Sequence, residues 1–466
     1  MRSTRRRPIA LAIAMTITSA LALALATSVL FAFGCDAVLG IADYHDRAVV
    51  SGDEAGADGR DGGGASGEGG PGEDGQSGGD SGAAGDSGPP ACGVIDSACC
   101  AGNTCNGGAQ CNGTICVCPS DKIACGTSCV DTKTDVKNCG RCNHDCLAGA
   151  CNAGTCAAYT VTTDPYAQQL FTDGGRVYWI RYLTSLANGG FFSAKLDGTD
   201  PRTIFDAGNT NSCTRAAVAL GKAYFLCANG LASDIRVCTL PCAAGSSTVL
   251  KPGIATAPAS ASALAADPST GTVYYAVATP YNQPPNGSIF DIAGNRVGGV
   301  NQANPNDLAI ANGSIYGLNS GTYSADTPQT NGGVKRASLV SPATESVVVT
   351  AGNAYFDNGT LAVDANNVYY SGRNYPGGAV DTDIVVANAS GTNAAPAIFA
   401  HAVSGPVVSD GTNVFLTMGN TVRYCSRVGG CGAGPTVLAN ENGQNLAVDA
   451  ESVMWVGNGI RRIAKP

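Results

Sequence analysis

Twenty-one cysteines are the most reactive side chains in this sequence, and a thiol can attack a substrate, hold a metal, carry a lipid or pair into a disulfide. Their distribution separates these chemistries. Fourteen lie between Cys92 and Cys156, six more are Cys213, Cys227, Cys238, Cys242, Cys425 and Cys431, and the remaining one is Cys35. An even number in each later region suits pairing in an exported protein and leaves Cys35 over. Zinc is the rival chemistry at Cys139-Gly140-Arg141-Cys142, a C-x2-C pair with His144 close by, but an oxidising compartment favours disulfides. Other catalytic spacings are thin. Gly75-Gln76-Ser77-Gly78-Gly79 fits the G-x-S-x-G turn that exposes a nucleophilic serine, yet it has neither the preceding strand nor the following helix that such a turn requires. The three histidines, His45, His144 and His401, fall in three different regions. Asp381 and Asp383 are too sparse a set for a calcium site. No phosphate loop, H-E-x-x-H or dinucleotide fingerprint stands out, so no metal, cofactor or catalytic residue is expected.

The chain opens with Arg2, Arg5, Arg6 and Arg7, followed by an uncharged run of 26 residues from Ile9 to Gly34. A cationic start and an apolar stretch form an export signal. As a helix the run would reach about 39 Å, enough to remain as an uncleaved anchor. Ala32-Phe33-Gly34-Cys35 resembles the bacterial lipobox, in which a small residue precedes a cysteine that receives a diacylglyceryl group; Ala32 departs from it, where that family prefers Leu. The resemblance implies lipidation at Cys35 and a membrane-anchored protein of the bacterial envelope, at the outer membrane or cell surface. Arg6-Arg7 is only a fragment of a twin-arginine signal.

Residues 35–90 read as a tether. From Ser51 to Pro90 there are 16 Gly and nine acidic residues against one arginine, with no aliphatic side chain larger than Ala. Such a segment buries too little apolar surface to offset its ordering entropy and is expected to be disordered. It carries nearly all of the net charge of −9, so the folded parts are close to neutral. A nucleic-acid partner, which needs a basic face, is excluded. Gly85-Asp86-Ser87-Gly88-Pro89-Pro90 looks like the nucleophile loop of trypsin-type proteases, but within this repetitive tract it reads as chance.

Residues 91–156 form a module that no hydrophobic core could hold, with eight Val, Ile and Leu and no aromatic between Cys92 and Cys156. Disulfides must hold it instead, at about 2–4 kcal/mol each. Seven cysteines lie on each side of Pro119, so full pairing forces a bridge across that point and predicts one cross-linked unit. The stretch from Cys125 to Cys146, "CGTSCVDTKTDVKNCGRCNHDC", resembles the stigma-specific cysteine-rich family, which implies a structural module and carries over no catalytic residue.

From residue 157 onward one pattern recurs: a small apolar strand, often ended by Asp, a tight turn, then a strand centred on a large side chain. The centres are Tyr178, Tyr224, Tyr274, Tyr316, Tyr369, Phe415 and Met454. Seven copies of a unit of about 46 residues have the period of four-stranded propeller blades. Asp173, Asp267, Asp364, Asp410 and Asp449 recur at the first turn, where an Asp side chain can close the turn on its own backbone. The last copy is one strand short, and Tyr159 to Thr163 alternates as an edge strand should, so it is expected to close the ring as the outermost strand. The fold class is therefore all-β: a seven-bladed β-propeller after a disulfide-rich module and a Gly/Asp-rich linker. The repeat region resembles the TolB-type bacterial propellers, a resemblance that fixes a fold and almost nothing of function. Within it, Cys213 is expected to bond Cys227, Cys238 to bond Cys242 and Cys425 to bond Cys431, each at a Cα separation of about 4.4–6.8 Å.

Loops joining second to third strands lie on one face of a propeller, and here they contain Tyr182, Tyr281, Tyr323 and Tyr375 among Asn, Gly, Pro and Ser. Tyr in adaptable polar loops is the composition of recognition surfaces, although ordinary exposed loops of a Gly-rich propeller look the same. Those four tyrosines are the ligand-binding candidates. If Tyr159 to Thr163 closes the ring, the tether enters from the opposite face. The expected function is a membrane-tethered binding or adhesion module for a glycan, peptide or protein, monomeric and not an enzyme. A structural component of the envelope, or a propeller enzyme, are the alternatives.

Overall fold

The computed structural model describes residues 92–184, 187–209, 211–230, 232–255, 260–278, 287–302, 304–319, 332–340, 345–350, 354–355, 360–374, 382–391, 397–400, 405–432 and 434–466. Cys35 and the export segment lie outside the described residues. Two compact units divide at Thr160.

The first unit is a disulfide ladder with three short hairpins, Gln110–Cys111 with Cys116–Val117, Ile123–Cys125 with Ser128–Val130, and Cys151–Asn152 with Thr155–Cys156. Its bonds are Cys92–Cys100, Cys99–Cys111, Cys105–Cys116, Cys118–Cys129, Cys125–Cys142, Cys139–Cys151 and Cys146–Cys156. Cys118–Cys129 crosses Pro119. All fourteen cysteines of the module are paired and a bridge crosses Pro119, as expected, while no bond joins the three bridges ending at Cys116 to the four beginning at Cys118. Two interlocked sets of bridges meet instead through backbone. The Cys129 amide donates to the Gly107 carbonyl at 2.7 Å, and Gly107, at φ 62°, lies so close that a Cβ would sit 1.9 Å from the Thr127 carbonyl oxygen. Only glycine fits that approach.

The second unit is a seven-bladed propeller. Six of the seven sheets carry their strands in chain order from the inside outward, and the fifth has its inner strand broken into Ala354–Tyr355 and Leu361–Val363, both paired with Asn367–Asn374. The seventh contains Gln444–Val448, Ser452–Gly457, Gly459–Ala464 and, outermost, Tyr159–Thr162. Gly459 abuts Thr162 and the Arg461 guanidinium donates to the Thr160 hydroxyl, so the closing strand runs antiparallel to Gly459–Ala464. The first strand thus joins the last blade, and the ring has no open seam there.

Register explains the recurring pattern. The large residue at the centre of each second strand faces a smaller residue on the inner strand: Ala217 opposite Tyr224, Ala265 opposite Tyr274, Ala309 opposite Tyr316, Ala362 opposite Tyr369, Ala447 opposite Met454 and Val408 opposite Phe415. Inner strands crowd toward the axis, so the bulk must come from the strand outside them. The first blade departs from this with Phe171 opposite Tyr178, their rings stacked at 5.1 Å. All seven centres are buried, and five of them share a core cluster with a small or aliphatic residue of the next blade's inner strand: Tyr178 with Ala216, Tyr224 with Leu264, Tyr274 with Leu308, Tyr316 with Leu361 and Tyr369 with Val407. Inter-blade packing is therefore the core of this unit.

Candidate functional site

Strand pairing in the first blade assembles a polar cleft. Its strands are Ala167–Asp173, Arg176–Arg181, Gly189–Lys195 and Arg202–Gly208. Alternation puts Trp179 and Arg181 on the face opposite Tyr178, and register sets Phe192 beside Trp179 and Gly190 beside Arg181. On the outer strand Thr203 faces Phe192 and Asp206 faces Gly190. Gly190 thus lies between a guanidinium and a carboxylate; a Cβ there would meet the Phe205 carbonyl oxygen at 2.4 Å and the Phe192 ring at 3.0 Å. A glycine keeps the floor between the two charges clear. Arg181, Thr184, Ala187, Asn188, Phe192, Thr203, Asp206 and Asn209 line the resulting cavity of about 530 Å³.

Its electrostatics are fixed from beneath. One carboxylate oxygen of buried Asp164 accepts the Trp179 indole N–H at 2.8 Å and the Arg181 Nε and Nη2 at 2.9 and 2.5 Å. The Arg181 guanidinium lies 4.1 Å from the centre of the Phe192 ring, which stacks on Trp179. The arginine is therefore held rigid and neutralised, with Nη1 lacking a hydrogen-bond partner among the described residues. On the rim, Asp206 Oδ1 accepts the Gly208 amide at 2.8 Å, and Thr203, Asp206, Asn209 and Asn188 are exposed.

The sequence-predicted site residues fall elsewhere. Tyr182 follows the second strand as expected, but it is a correction: only 9% exposed, it packs in the cluster with Tyr178, Phe191 and Phe225. Its hydroxyl lies 3.4 Å from both the Thr214 carbonyl and Arg215 Nη1. It is an inter-blade core residue because the loop turns back over the neighbouring blade, where the Leu183 amide donates to the Ser212 hydroxyl. Tyr281, Tyr323 and Tyr375 lie outside the described residues. None of the cleft residues carries a motif; the available signals were the Gly189-Gly190 pair and the acid at Asp164 just ahead of the first blade.

The recurring turn aspartates lie in structural settings. Asp267, Asp364, Asp410 and Asp449 close their own turns, each accepting one or two amides two or three residues on. Asp173 precedes Gly174 and Gly175, at φ 54° and 78°, a two-glycine turn that needs no side-chain closure; burial pushes its carboxyl above the usual range. Asp410 also binds Lys465 of the last blade at 2.7 Å, and Arg427 of the sixth blade approaches Asp364 of the fifth at 3.9 Å. These carboxylates serve turns and neighbouring blades.

Around the axis, polar residues in or beside the bulges at the start of the inner strands, Gln169, Asp307 and Asn445 among them buried, stitch blade to blade. Ser262 donates to the Pro305 carbonyl at 2.5 Å, Asp307 Oδ2 accepts the Leu361 amide at 2.9 Å, Gln169 accepts the Ala216 amide, and Asn445 reaches Gln168 at 3.4 Å. Buried Arg215 donates to the Thr214 carbonyl at 2.6 Å. In the disulfide module, Cys139 and Cys142 are bonded to Cys151 and Cys125, so neither supplies a thiolate for zinc, and His144 Nδ1 lies 2.6 Å from the Cys139 carbonyl. In the propeller, Cys238–Cys242 and Cys425–Cys431 have Cα separations of 5.6 and 5.3 Å. Cys213–Cys227 is closer than expected, at 3.9 Å, because its cysteines sit directly opposite one another on adjacent strands.

No known protein family matches the chain, and no curated protein does. Among solved structures it is similar to the β-propeller domain of the trilobed protease from Pyrococcus furiosus, at 11% identity over 62% of this chain and 88% of that one, TM-score 0.43. It is also similar to TolB from Acinetobacter baumannii, at 11% over 62% and 64%, TM-score 0.38. Hydrazine synthase of Kuenenia stuttgartiensis gives 11% over 65% and 97%, TM-score 0.48. The fold rests on the strand pairing and ring closure themselves: the chain is a seven-bladed β-propeller preceded by a disulfide-rich module.

Proposed function

We propose that this protein is an exported recognition module, held at a membrane by a lipid on Cys35, whose propeller binds a ligand through the cleft of the first blade. The observation that carries the reading is the pre-organised Arg181, fixed by Asp164 and Phe192 at the floor of an open polar cavity. Rigid hydrogen-bonding groups beside mobile-ligand space are what binding sites need. Ten disulfides mark an extracytoplasmic protein. They use the other twenty cysteines, leaving Cys35 no partner thiol in its own chain and supporting its lipidation. The closing strand enters the last blade at the end bearing the first-to-second strand turns, whereas Arg181 ends a second strand and so lies toward the opposite end.

A glycan and peptide array probed with the full exported chain tests the reading. We expect binding that is lost on Arg181→Ala in a variant whose melting still shows a folded propeller. Arrays silent for the intact protein, or binding indifferent to that change, would oppose it. Mass spectrometry of the mature N-terminus tests the anchor: a diacylglyceryl-modified Cys35 is expected, and an unmodified Cys35 peptide or a retained Met1 segment would contradict it.

A further inference from the structure

Resting on the recognition reading above, we propose that the first-blade cleft selects an uncharged, polyhydroxylated ligand, a neutral glycan whose adjacent hydroxyls bridge Arg181 and Asp206. The selection follows from how the cleft's groups are already committed. Arg181 commits Nε and one Nη2 hydrogen to Asp164, so its positive charge is matched from below, and Nη1, without a hydrogen-bond partner among the described residues, remains as a donor. An anionic ligand would gain little from that arginine and would meet the exposed Asp206 carboxylate across Gly190. A cationic ligand would gain Asp206 but lie against a guanidinium. An apolar ligand would find almost no surface, because Phe192 and Trp179 are 8% and 4% exposed and the Phe192 ring is covered by Arg181.

What remains is alternating hydrogen-bond chemistry. Arg181 Nη1 donates; Asp206 Oδ2, with no partner among the described residues, accepts; Asn188, Asn209 and Thr203 can do both. A hydroxyl group is at once donor and acceptor, so neighbouring sugar hydroxyls satisfy a guanidinium on one side and a carboxylate on the other. The gap between those charges exists because Gly190 has no side chain. The cavity, about 530 Å³, is within the range of small-ligand sites.

The test is calorimetric titration of the full exported chain with maltotetraose, cellotetraose and chitotetraose, alongside tetragalacturonate, deacetylated chitotetraose and a library of end-blocked tetrapeptides. At least one neutral tetrasaccharide is expected to bind, with an affinity nearly unchanged between about 50 mM and about 500 mM NaCl because no net charge is neutralised. Asp206→Asn keeps the Oδ1 cap on Gly208 and removes the charged acceptor, so it should weaken binding by about tenfold or more while melting is unchanged. Asn209→Ala, at an exposed rim position, serves as a second variant and should also weaken it. Affinity unaffected in both variants would overturn the inference. Binding confined to the charged saccharides or to peptides would also overturn it, while leaving the recognition reading standing; silence from every probe would overturn both.

Discussion

At the scale of single residues, Tyr182 shows how far burial can reverse a reading from composition. A tyrosine among polar loop residues looks like a ligand anchor, yet its ring fills the space between the first two blades and its hydroxyl lies near Thr214 and Arg215. Tyr182→Ala is expected to cost about 3 kcal/mol through the cavity it leaves, lowering the thermal midpoint without changing ligand affinity at a temperature where the variant is folded. Loss of affinity with unchanged melting would return Tyr182 to the binding surface. Gly107 makes the complementary case in the disulfide module. With a Cβ 1.9 Å from a carbonyl oxygen, Gly107→Ala must push apart the two sets of bridges. Since no disulfide spans them, limited proteolysis of the variant should open the chain at Val117, whereas an uncut module would show that the backbone contact is dispensable.

At the scale of strands, the propeller repeat was legible because its physics is periodic. Seven large side chains at a spacing of about 46 residues mark the centres of second strands, and the small residues before them are small because they face those side chains in register. The polar residues at the inner-strand bulges were not legible: Gln169, Ser262, Asp307 and Asn445 have no common identity, and only the bulge gives them a common task. The cleft was hidden for a similar reason, since Arg181, Gly190 and Asp206 meet through cross-strand register and not through spacing along the chain. The tyrosine centres also make the blades sensitive to base. Burial raises the phenols of Tyr224, Tyr274, Tyr316 and Tyr369, and pushes that of Tyr178 up to about 12. The folded state therefore holds protons that the unfolded chain gives up near pH 10, and stability should fall as pH rises from about 10 through 12. At the acid end, desolvation of Asp410 is outweighed by the Asn413 amide, Lys465 and the Thr412 amide, which lower its carboxyl. That contribution is present above about pH 4 and is lost as pH falls through the lowered value. Thermal melts across pH 3–12 should show both declines, and Lys465→Met should flatten part of the acid one. A midpoint indifferent to pH at both ends would contradict these assignments.

At the scale of the whole chain, a covalently stapled module precedes a ring whose first strand, Tyr159–Thr162, is the outer strand of its last blade. Removing residues 159–162 should therefore expose the edge of Gly459–Ala464 and destabilise a blade some 300 residues away in sequence. The same closure puts the start of Tyr159–Thr162 at the end of the last blade that bears the first-to-second strand turns, whereas Arg181 ends a second strand, in the first blade. The central claim is that ligand is captured there, in the first blade. Hydrogen–deuterium exchange of the full exported chain, with and without the strongest saccharide or peptide from the array, tests it most directly. Protection gained over residues 187–192 and 203–209 is the result the account requires; protection confined to the turns after Asp267, Asp364, Asp410 and Asp449, with the first-blade cleft unchanged, would contradict it.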